Sequence, residues 1–247
     1  MEDLKNVTGA VYKTESFGAV DGPGIRYVFF LQGCPLRCLY CHNPESIPRI
    51  KGVKWTAGQI VDEVLRYTSF IKRGGVTFSG GEPLYQPEFV YAAATLLKEA
   101  GIGAALDTSG GIYPGDPAVR MAIGAAELLL MDIKAWDNET AVKLTGRGVE
   151  NALATLDYCE TTGKPVWIRY VLLTGYTDDD RQLNATADYL TRYKCVKRVE
   201  LLPFHKLGEA KWEQSGRKYL LGKTPATTKE QTENAKAIIA SYGLPVQ

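Results

Sequence analysis

The chain has 247 residues, of which 45% are hydrophobic and 23% are charged, as in an ordinary globular protein. Its 29 Lys and Arg residues nearly balance its 28 Asp and Glu residues, so its net charge excludes general attraction to nucleic acid or to an anionic membrane. No apolar run approaches the roughly 18 residues that a membrane-spanning helix needs, and the first ten residues contain no apolar signal segment. We therefore expect a cytoplasmic protein without a nucleic-acid or membrane partner.

Short apolar runs rich in β-branched residues alternate along the chain with longer segments of helical periodicity. The predicted strands are, in chain order, 10–16, 27–31, 75–79, 103–107, 127–132, 165–173 and 198–202. The predicted helices are 57–71, 86–100, 117–124, 149–162, 178–193 and 228–242, with Thr56 as the N-cap of the first. The run 128–131 is continuously apolar, as is typical of a parallel strand covered on both faces.

This alternation predicts one domain over residues 1–247, built from right-handed β-α-β units. No repeat, low-complexity tract or linker divides the chain. The predicted strands are too few for a closed eight-stranded barrel, so we predict an α/β fold with an open or partial barrel. In parallel barrels the chemistry lies at the C-terminal ends of the strands. The polar residues directly after each apolar run are therefore the candidates for function.

Three of the five cysteines lie within eight consecutive positions, with the spacing Cys34-x3-Cys38-x2-Cys41. A tight cluster with an odd total favours a metal site over a disulfide framework. Thiolates suit both iron-sulfur clusters and zinc. Zinc would need a fourth ligand, and the adjacent His42 is poorly placed to close a tetrahedron. A [4Fe-4S] cluster would keep one iron open to a small molecule, and purely structural cysteines are the third possibility.

Polar residues follow two neighbouring predicted strands, and one basic residue interrupts a third. Asp107 and Thr108 follow the fourth strand, and Asp132 and Lys134 follow the fifth. Without further information the two aspartates are equally typical of solubilising residues at strand ends and of helix caps. Arg169 lies inside an apolar strand, where an unpaired guanidinium would be costly. It needs either an anionic ligand or an ion pair with a nearby acidic residue.

Several motifs together resemble one family. The cysteine spacing, with Tyr40 before the third cysteine, resembles the signature of the radical S-adenosylmethionine (SAM) superfamily. The segment 79–83 resembles the superfamily motif that receives the SAM amino group, although Gly-Gly before proline is in general typical of a turn. The segment 21–26, Asp-Gly-Pro-Gly-Ile-Arg, resembles a motif of the glycyl-radical-enzyme activases. The stretches 167–171 and 203–212 are also similar to that family, and the resemblance runs from about residue 9 to residue 247.

The resemblance implies a partial (β/α)6 barrel, one [4Fe-4S] cluster on the three cysteines, and SAM as cosubstrate. SAM would bind the open iron, and its reductive cleavage would yield methionine and a 5'-deoxyadenosyl radical. That radical would remove a hydrogen atom from the Cα of a glycine in a partner enzyme. No cysteine lies between residues 43 and 75, where other activases carry extra clusters, and this favours pyruvate formate-lyase as the partner. Flavodoxin or a related low-potential carrier is the implied electron donor, and a monomer is expected.

The resemblance also implies residue roles in three groups. The residues expected around the cluster and SAM are Tyr40, His42, Gly80, Gly81, Glu82, Asp107, Asp132, Lys134, Arg169 and His205. The residues expected to hold a monovalent cation (Na+ or K+), which prefers hard oxygen ligands, are Asp107, Thr108, Leu130 and Asp132. The residues expected where the partner's glycine loop enters are Asp21, Gly22, Gly24 and Arg26, which could equally form a simple turn.

Two other functions are compatible with parts of the sequence. A radical SAM enzyme could act on a small molecule or nucleotide, but the motif at 21–26 and the segment 203–208 count against it. A non-enzymatic zinc or iron-sulfur module would explain the cysteines alone. The other two cysteines, Cys159 and Cys195, are expected to be ordinary packed residues.

Overall fold

The computed structural model describes residues 2–247. Its strands are β1 Thr8–Gly18, β2 Arg26–Leu31, β3 Val53–Thr56, β4 Gly75–Gly80, β5 Ala104–Thr108, β6 Leu128–Asp132, β7 Val166–Leu172 and β8 Val196–Pro203. Its helices are α1 Glu2–Lys5, α2 Ala57–Leu65, α3 Thr68–Ile71, α4 Pro87–Glu99, α5 Pro117–Ala125, α6 Asn138–Thr145, α7 Glu150–Thr162, α8 Asp180–Leu190, α9 Glu209–Gln214 and α10 Lys229–Ser241. Short 3-10 turns lie at Pro44–Ser46 and Pro83–Tyr85. No helix in this described part is both long and apolar enough to cross a membrane.

The strands form one mixed sheet in the order β3-β1-β2-β4-β5-β6-β7-β8. Parallel pairing joins β2 to β4, β4 to β5 and β7 to β8, whereas β1 is antiparallel to both β2 and β3. The sheet is open because β3 and β8 are edge strands. The predicted α/β fold with an incomplete barrel is confirmed.

Contacts within the chain divide it into two compact units. The first contains the residues up to Pro35 together with Ser46–Thr108 and Ile112–Leu130, and the second contains Leu36–Glu45, Ser109–Gly111 and Met131–Gln247.

The core of the first unit is built on two parallel strands. Val28 and Leu31 of β2 are fully buried, as is Val76 of β4, and the rings of Phe29 and Phe78 stack with centroids 6.0 Å apart. Side chains buried on both faces of a strand explain the continuous apolar runs in the sequence.

The core of the second unit includes the middle of the cysteine loop. Tyr40 packs in one apolar cluster with Leu144, Leu173, Phe204 and Leu221. This cluster shields the backbone of the loop and orders it by burial of apolar surface.

One predicted helix is wrong in its extent. The segment 57–71 forms two helices, because Tyr67 leaves the helical region with φ −113° and ψ 7° between α2 and α3. The predicted N-cap is confirmed, because the Thr56 hydroxyl oxygen accepts from the Gln59 N–H. The Gln59 side-chain oxygen accepts from the Thr56 N–H in turn, which completes a capping box.

The strand β3 and the helices α6 and α9 were not predicted from the sequence. β3 is a short edge strand in which no residue is fully buried and Val53 is largely exposed. Helix α6 begins at the Asp137 cap and ends at Gly146 in the left-handed region. Helix α9 is short, with Trp212 as its only buried residue.

Candidate functional site

The turn at the end of β4 packs tightly against the backbone at the end of β2. Gly80 has φ +103°, and a Cβ there would lie 2.4 Å from the Leu31 nitrogen. A Cβ on Gly81 would lie 2.2 Å from the carbonyl oxygen of Gly33. The Gly81 and Glu82 amides donate to Leu31 and Gly33 carbonyls at 2.8 and 2.9 Å. The two glycines are therefore required to seat this turn against the residues that lead into the cysteine loop.

The Glu82 carboxylate is fully buried and accepts hydrogen bonds from other groups of the protein. Its Oε1 accepts from the Leu84 N–H at 3.0 Å and from the Thr108 hydroxyl at 2.6 Å. Beside it, the Ser79 hydroxyl donates to Asp107 Oδ2 at 2.6 Å. The polar ends of β4 and β5, predicted to hold ligand groups, are thus linked to each other by short side-chain hydrogen bonds.

The Asp21–Arg26 motif is the tip of the β1–β2 hairpin, and Arg26 anchors it. The Arg26 guanidinium is 2% exposed and donates to Thr77 Oγ1 at 3.0 Å, to the Gly74 carbonyl at 2.7 Å and to the Val76 carbonyl at 2.5 Å. The Thr77 hydroxyl in turn donates to the Asp21 carbonyl at 2.7 Å. Burial lowers the pKa of Arg26 to about 10, so the group stays charged at neutral pH.

Two glycines of the same tip adopt backbone conformations that favour glycine. Gly22 has φ +126° and Gly24 has φ +72°, and a Cβ on Gly24 would lie 2.6 Å from the Arg73 carbonyl oxygen. The tip is therefore a fixed turn rather than a loose loop, with the Arg26 side chain turned into the protein.

The first cysteine is held by the backbone of the first unit. The Gly33 N–H donates to Ser46 O at 2.6 Å and the Cys34 N–H donates to Ile47 O at 3.1 Å. Gly33 has φ +97°, which turns the chain from β2 into the loop.

The other two cysteines belong to the second unit and are poorly hydrated. Burial raises the pKa of Cys38 to about 12, and the nearby Lys134 ammonium opposes that shift. Burial also raises the pKa of Cys41. All three motif cysteines are free thiols, and so are the buried Cys159 and Cys195. Desolvation favours the neutral thiol, so Cys38 and Cys41 need a cationic partner to become thiolates.

Asp132, the last residue of β6, forms a mostly buried ion pair with Lys134. Their Nζ and Oδ2 atoms lie 2.7 Å apart, and the ammonium lies 5.6 Å from the ring centre of Tyr40. Burial alone would lower the pKa of Lys134, but attraction to Asp132 outweighs it and holds the pKa well above its usual range. Leu130, the preceding backbone candidate of β6, is fully buried. This part of the predicted set thus presents a fixed positive charge beside Cys38.

Arg169 has an acidic partner on the neighbouring strand. Its Nε lies 3.2 Å from Glu200 Oε2, while Arg198 binds the other oxygen of Glu200 at 3.2 Å. The ion pair that the sequence left open as an alternative therefore exists. A role for Arg169 toward an anionic ligand stays a prediction.

The end of the cysteine loop is held by the segment after β8. His42 and His205 pack ring against ring with centroids 4.5 Å apart, and burial lowers the pKa of His42. Lys211 Nζ donates to the His42 carbonyl at 2.9 Å and to Asn43 Oδ1 at 3.1 Å. The Trp212 indole donates to the Cys41 carbonyl at 2.8 Å. Only the motif resemblance at 203–212 pointed to this contact in the sequence, because α9 is too short to show a helical pattern.

Comparison with known proteins decides the family. The model of the radical SAM superfamily matches residues 28–185, which is more than half of the chain. The pyruvate formate-lyase-activating enzyme of Streptococcus mutans is 40% identical over 96% of this chain and 93% of that protein. The chain belongs to the radical SAM superfamily and, within it, to the family of pyruvate formate-lyase-activating enzymes. It is also 37% identical to the pyruvate formate-lyase 1-activating enzyme of Escherichia coli K12, over 96% of this chain and 98% of that protein.

Solved structures of radical SAM enzymes share the fold. A domain of a pyruvate-formate lyase-activating enzyme from Bacteroides vulgatus superimposes with a TM-score of 0.59 at 26% identity, covering 70% of this chain and 98% of that chain. QueE from Escherichia coli superimposes with a TM-score of 0.56 over 98% of this chain and 94% of that chain, and at 12% identity this likeness shows the fold alone. The family match and the activating-enzyme relatives make the chain an enzyme of the radical SAM class.

The residues present fit the [4Fe-4S] cluster and SAM that this family implies. Three thiols stand in one loop, and soft thiolates suit iron. The Tyr40 hydroxyl is buried without a hydrogen-bond partner among residues 2–247, which indicates room for a polar ligand beside the loop. No three His, Cys, Asp or Glu side chains in that range are arranged to hold a single metal ion, so the monovalent cation stays a prediction.

Proposed function

We propose that this enzyme binds one [4Fe-4S] cluster through Cys34, Cys38 and Cys41, cleaves SAM reductively, and installs a glycyl radical on pyruvate formate-lyase. The observation that carries the proposal is the 40% identity to an activating enzyme over almost the whole of both chains. The unbroken cysteine motif of three free thiols supports it, because the chemistry of the family requires that motif.

The chemistry is a one-electron reduction followed by a hydrogen transfer. When bound, the cluster supplies one electron that splits SAM into methionine and a 5'-deoxyadenosyl radical. That radical takes a hydrogen atom from the Cα of the partner's glycine and leaves as 5'-deoxyadenosine, so the unpaired electron remains on the glycine. The cofactor and cosubstrate carry this chemistry, and the protein binds, orients and excludes water.

The residues of this chain contribute position and charge. The buried Tyr40 covers the loop from water, and Lys134 places a positive charge beside Cys38 that favours the thiolate. The amides of Gly81 and Glu82 hold the residues that lead into the cysteine loop, by hydrogen bonds to the Leu31 and Gly33 carbonyls. The Glu82 carboxylate stabilises the same turn by accepting from the Leu84 N–H. We assign Lys134 and Arg169 to the SAM carboxylate, since both are cations held in place by a carboxylate partner.

Three further assignments are part of the proposal. His42 and His205, packed together, form the adenosine side of the SAM site. Asp107, Thr108, Leu130 and Asp132 hold a Na+ or K+ ion. The hairpin tip from Asp21 through Gly22 and Gly24 admits the partner's glycine loop, and Arg26 acts by fixing that tip rather than by touching the peptide.

The setting of the enzyme follows from the same proposal. We propose that it works in the cytoplasm as a monomeric single domain over residues 1–247, in anaerobic glucose metabolism. Its electron donor is flavodoxin or a related low-potential carrier, and it needs neither nucleic acid nor membrane.

The deciding experiment is reconstitution without oxygen. Reduced enzyme with about four irons and four sulfides per chain should cleave SAM and produce a glycyl-radical electron paramagnetic resonance signal on added pyruvate formate-lyase. SAM cleavage without that signal on any glycyl radical enzyme would remove the protein-activase proposal and favour a small-molecule substrate. Zinc in place of iron would leave only a binding module.

Cysteine variants test the ligand set in the same assay. Cys34→Ala, Cys38→Ala and Cys41→Ala should each abolish SAM cleavage, because two thiolates hold the cluster poorly. Cys159→Ala is the matched control: its thiol is buried in α7, and its loss should leave the iron content unchanged. Full activity in any motif variant would refute the assignment.

A further inference from the structure

The segment from Phe204 to Lys223 carries an excess of positive charge. It contains five cationic side chains, Lys206, Lys211, Arg217, Lys218 and Lys223, and only two carboxylates, Glu209 and Glu213. The whole chain has a net charge of only +1, so the remainder of the protein is net negative. We call this segment the basic patch.

The cations of the basic patch are not neutralised within the protein. Across residues 2–247, none of the five forms an ion pair with a carboxylate. Lys206 and Lys211 instead donate to backbone carbonyls at 2.6 and 2.9 Å, which orders their charges on the surface. Lys218 and Lys223 are exposed.

The same segment exposes apolar surface. Leu207 is 81% exposed and Leu220 is 62% exposed, although Phe204 and Leu221 beside them are buried. Exposed apolar side chains among charges that are mostly positive are typical of a protein contact, where apolar residues bind and the surrounding charges steer the partner. The partner that this surface fits is an acidic protein.

The patch is connected directly to the third cysteine of the motif. Trp212, the buried residue of α9, donates its indole N–H to the Cys41 carbonyl, and Arg217 Nη1 lies 3.5 Å from the Pro44 carbonyl. The Tyr219 ring lies 5.9 Å from the Trp212 ring. A partner seated here is joined to the Cys41 side chain through aromatic side chains, one hydrogen bond and the covalent bonds of Cys41.

We propose that the basic patch is the docking surface for an acidic one-electron carrier protein that reduces the cluster. The inference rests on the proposed function, which requires one electron for each SAM cleaved. The reduced carrier loses one electron, the cluster gains it, and no covalent bond is made or broken. Such electron-transfer contacts are typically small and transient, which suits a single short segment.

The test reverses two exposed charges, Lys218 and Lys223, which form no ion pair with another residue between 2 and 247. Lys218→Glu with Lys223→Glu is compared with Lys194→Glu with Lys197→Glu, a matched control of equal charge change at the opposite end of β8. Both reconstituted holoenzymes are mixed with reduced flavodoxin, and cluster reduction is followed by the loss of visible absorbance. Flavodoxin binding is measured separately by surface plasmon resonance.

The patch variant should be reduced by flavodoxin about tenfold more slowly than wild type at low ionic strength, with weaker binding, and the difference should shrink as salt is added. The control variant should behave as wild type. With dithionite, a small reductant that needs no docking, both variants should cleave SAM at the wild-type rate.

Equal flavodoxin rates and binding for wild type and the patch variant would overturn the docking proposal. So would a patch variant that is reduced normally by flavodoxin but fails to activate pyruvate formate-lyase, since the patch would then bind the substrate protein. If dithionite-reduced wild type does not cleave SAM, the proposed function fails instead, so the two failures are distinguishable.

Discussion

The indole nitrogen of Trp212 lies 2.8 Å from the carbonyl oxygen of Cys41. This hydrogen bond joins α9 to the last cysteine of the motif, across 171 positions of sequence. With Lys211, which binds the next carbonyl at 2.9 Å, it fixes where the loop ends. The geometry of the third thiol therefore depends on a residue far from the motif.

Removal of that hydrogen bond should loosen the cluster. Trp212→Phe keeps an aromatic ring but removes the N–H donor, at a cost of about 1 kcal/mol. We expect iron release to a chelator roughly five times faster than from wild type. Trp167→Phe is the control, because its ring packs against Arg198 and not against the loop. Equal release rates from all three proteins would show that the bond is unimportant for the loop.

A side chain at Gly81 should disturb the entrance to the loop. In Gly81→Ala the new Cβ would lie 2.2 Å from Gly33 O, which is backbone and cannot rotate away. We expect a loss of about 2 kcal/mol in the free energy of unfolding and a lower iron content after reconstitution. Gly124→Ala, in α5 with nothing within 4 Å of the new Cβ, should instead gain roughly 0.5 kcal/mol. Urea unfolding and iron analysis measure both; normal stability and iron content in Gly81→Ala would contradict the expectation.

Arg26 should prove to be a structural anchor. Arg26→Met leaves the buried Thr77 hydroxyl, the buried Val76 carbonyl and the half-buried Gly74 carbonyl without their charged donor. The free energy of unfolding should therefore fall by about 3 kcal/mol in urea titrations. Arg73→Met, at an exposed position, should change it by less than about 0.5 kcal/mol. A fully stable Arg26→Met that cleaves SAM but fails to activate its partner would show instead that Arg26 contacts the peptide.

Arg169 should contribute to SAM affinity through the geometry of its guanidinium. Arg169→Lys keeps the charge but loses paired donation to a carboxylate, so the dissociation constant for SAM should rise about tenfold. Glu200→Gln removes the charge that positions Arg169 but keeps an acceptor, and should have a smaller effect. Isothermal titration on the holoenzyme measures both. Unchanged SAM affinity in Arg169→Lys, with reduced stability, would make the ion pair purely structural.

The fold class and the cysteine motif could be predicted from the sequence because both are local patterns. Buried parallel strands need continuous apolar runs, and three thiols in one loop need only their spacing. The N-cap at Thr56 was equally predictable, because a capping box involves only residues three positions apart. The break after α2 and the edge strand β3 were not, since exposed residues carry no periodic signal.

The partners of the polar side chains were decided by tertiary structure alone. Strand register decides that Arg169 pairs with Glu200, 31 positions away. It also decides that Arg26 turns inward onto Thr77, whose hydroxyl binds the Asp21 carbonyl 56 positions away. A buried charge must find a partner, and the sequence states that need without naming the partner. The link between Trp212 and Cys41 is of the same kind, because the two residues meet only once β8 has brought the following segment to the cysteine loop.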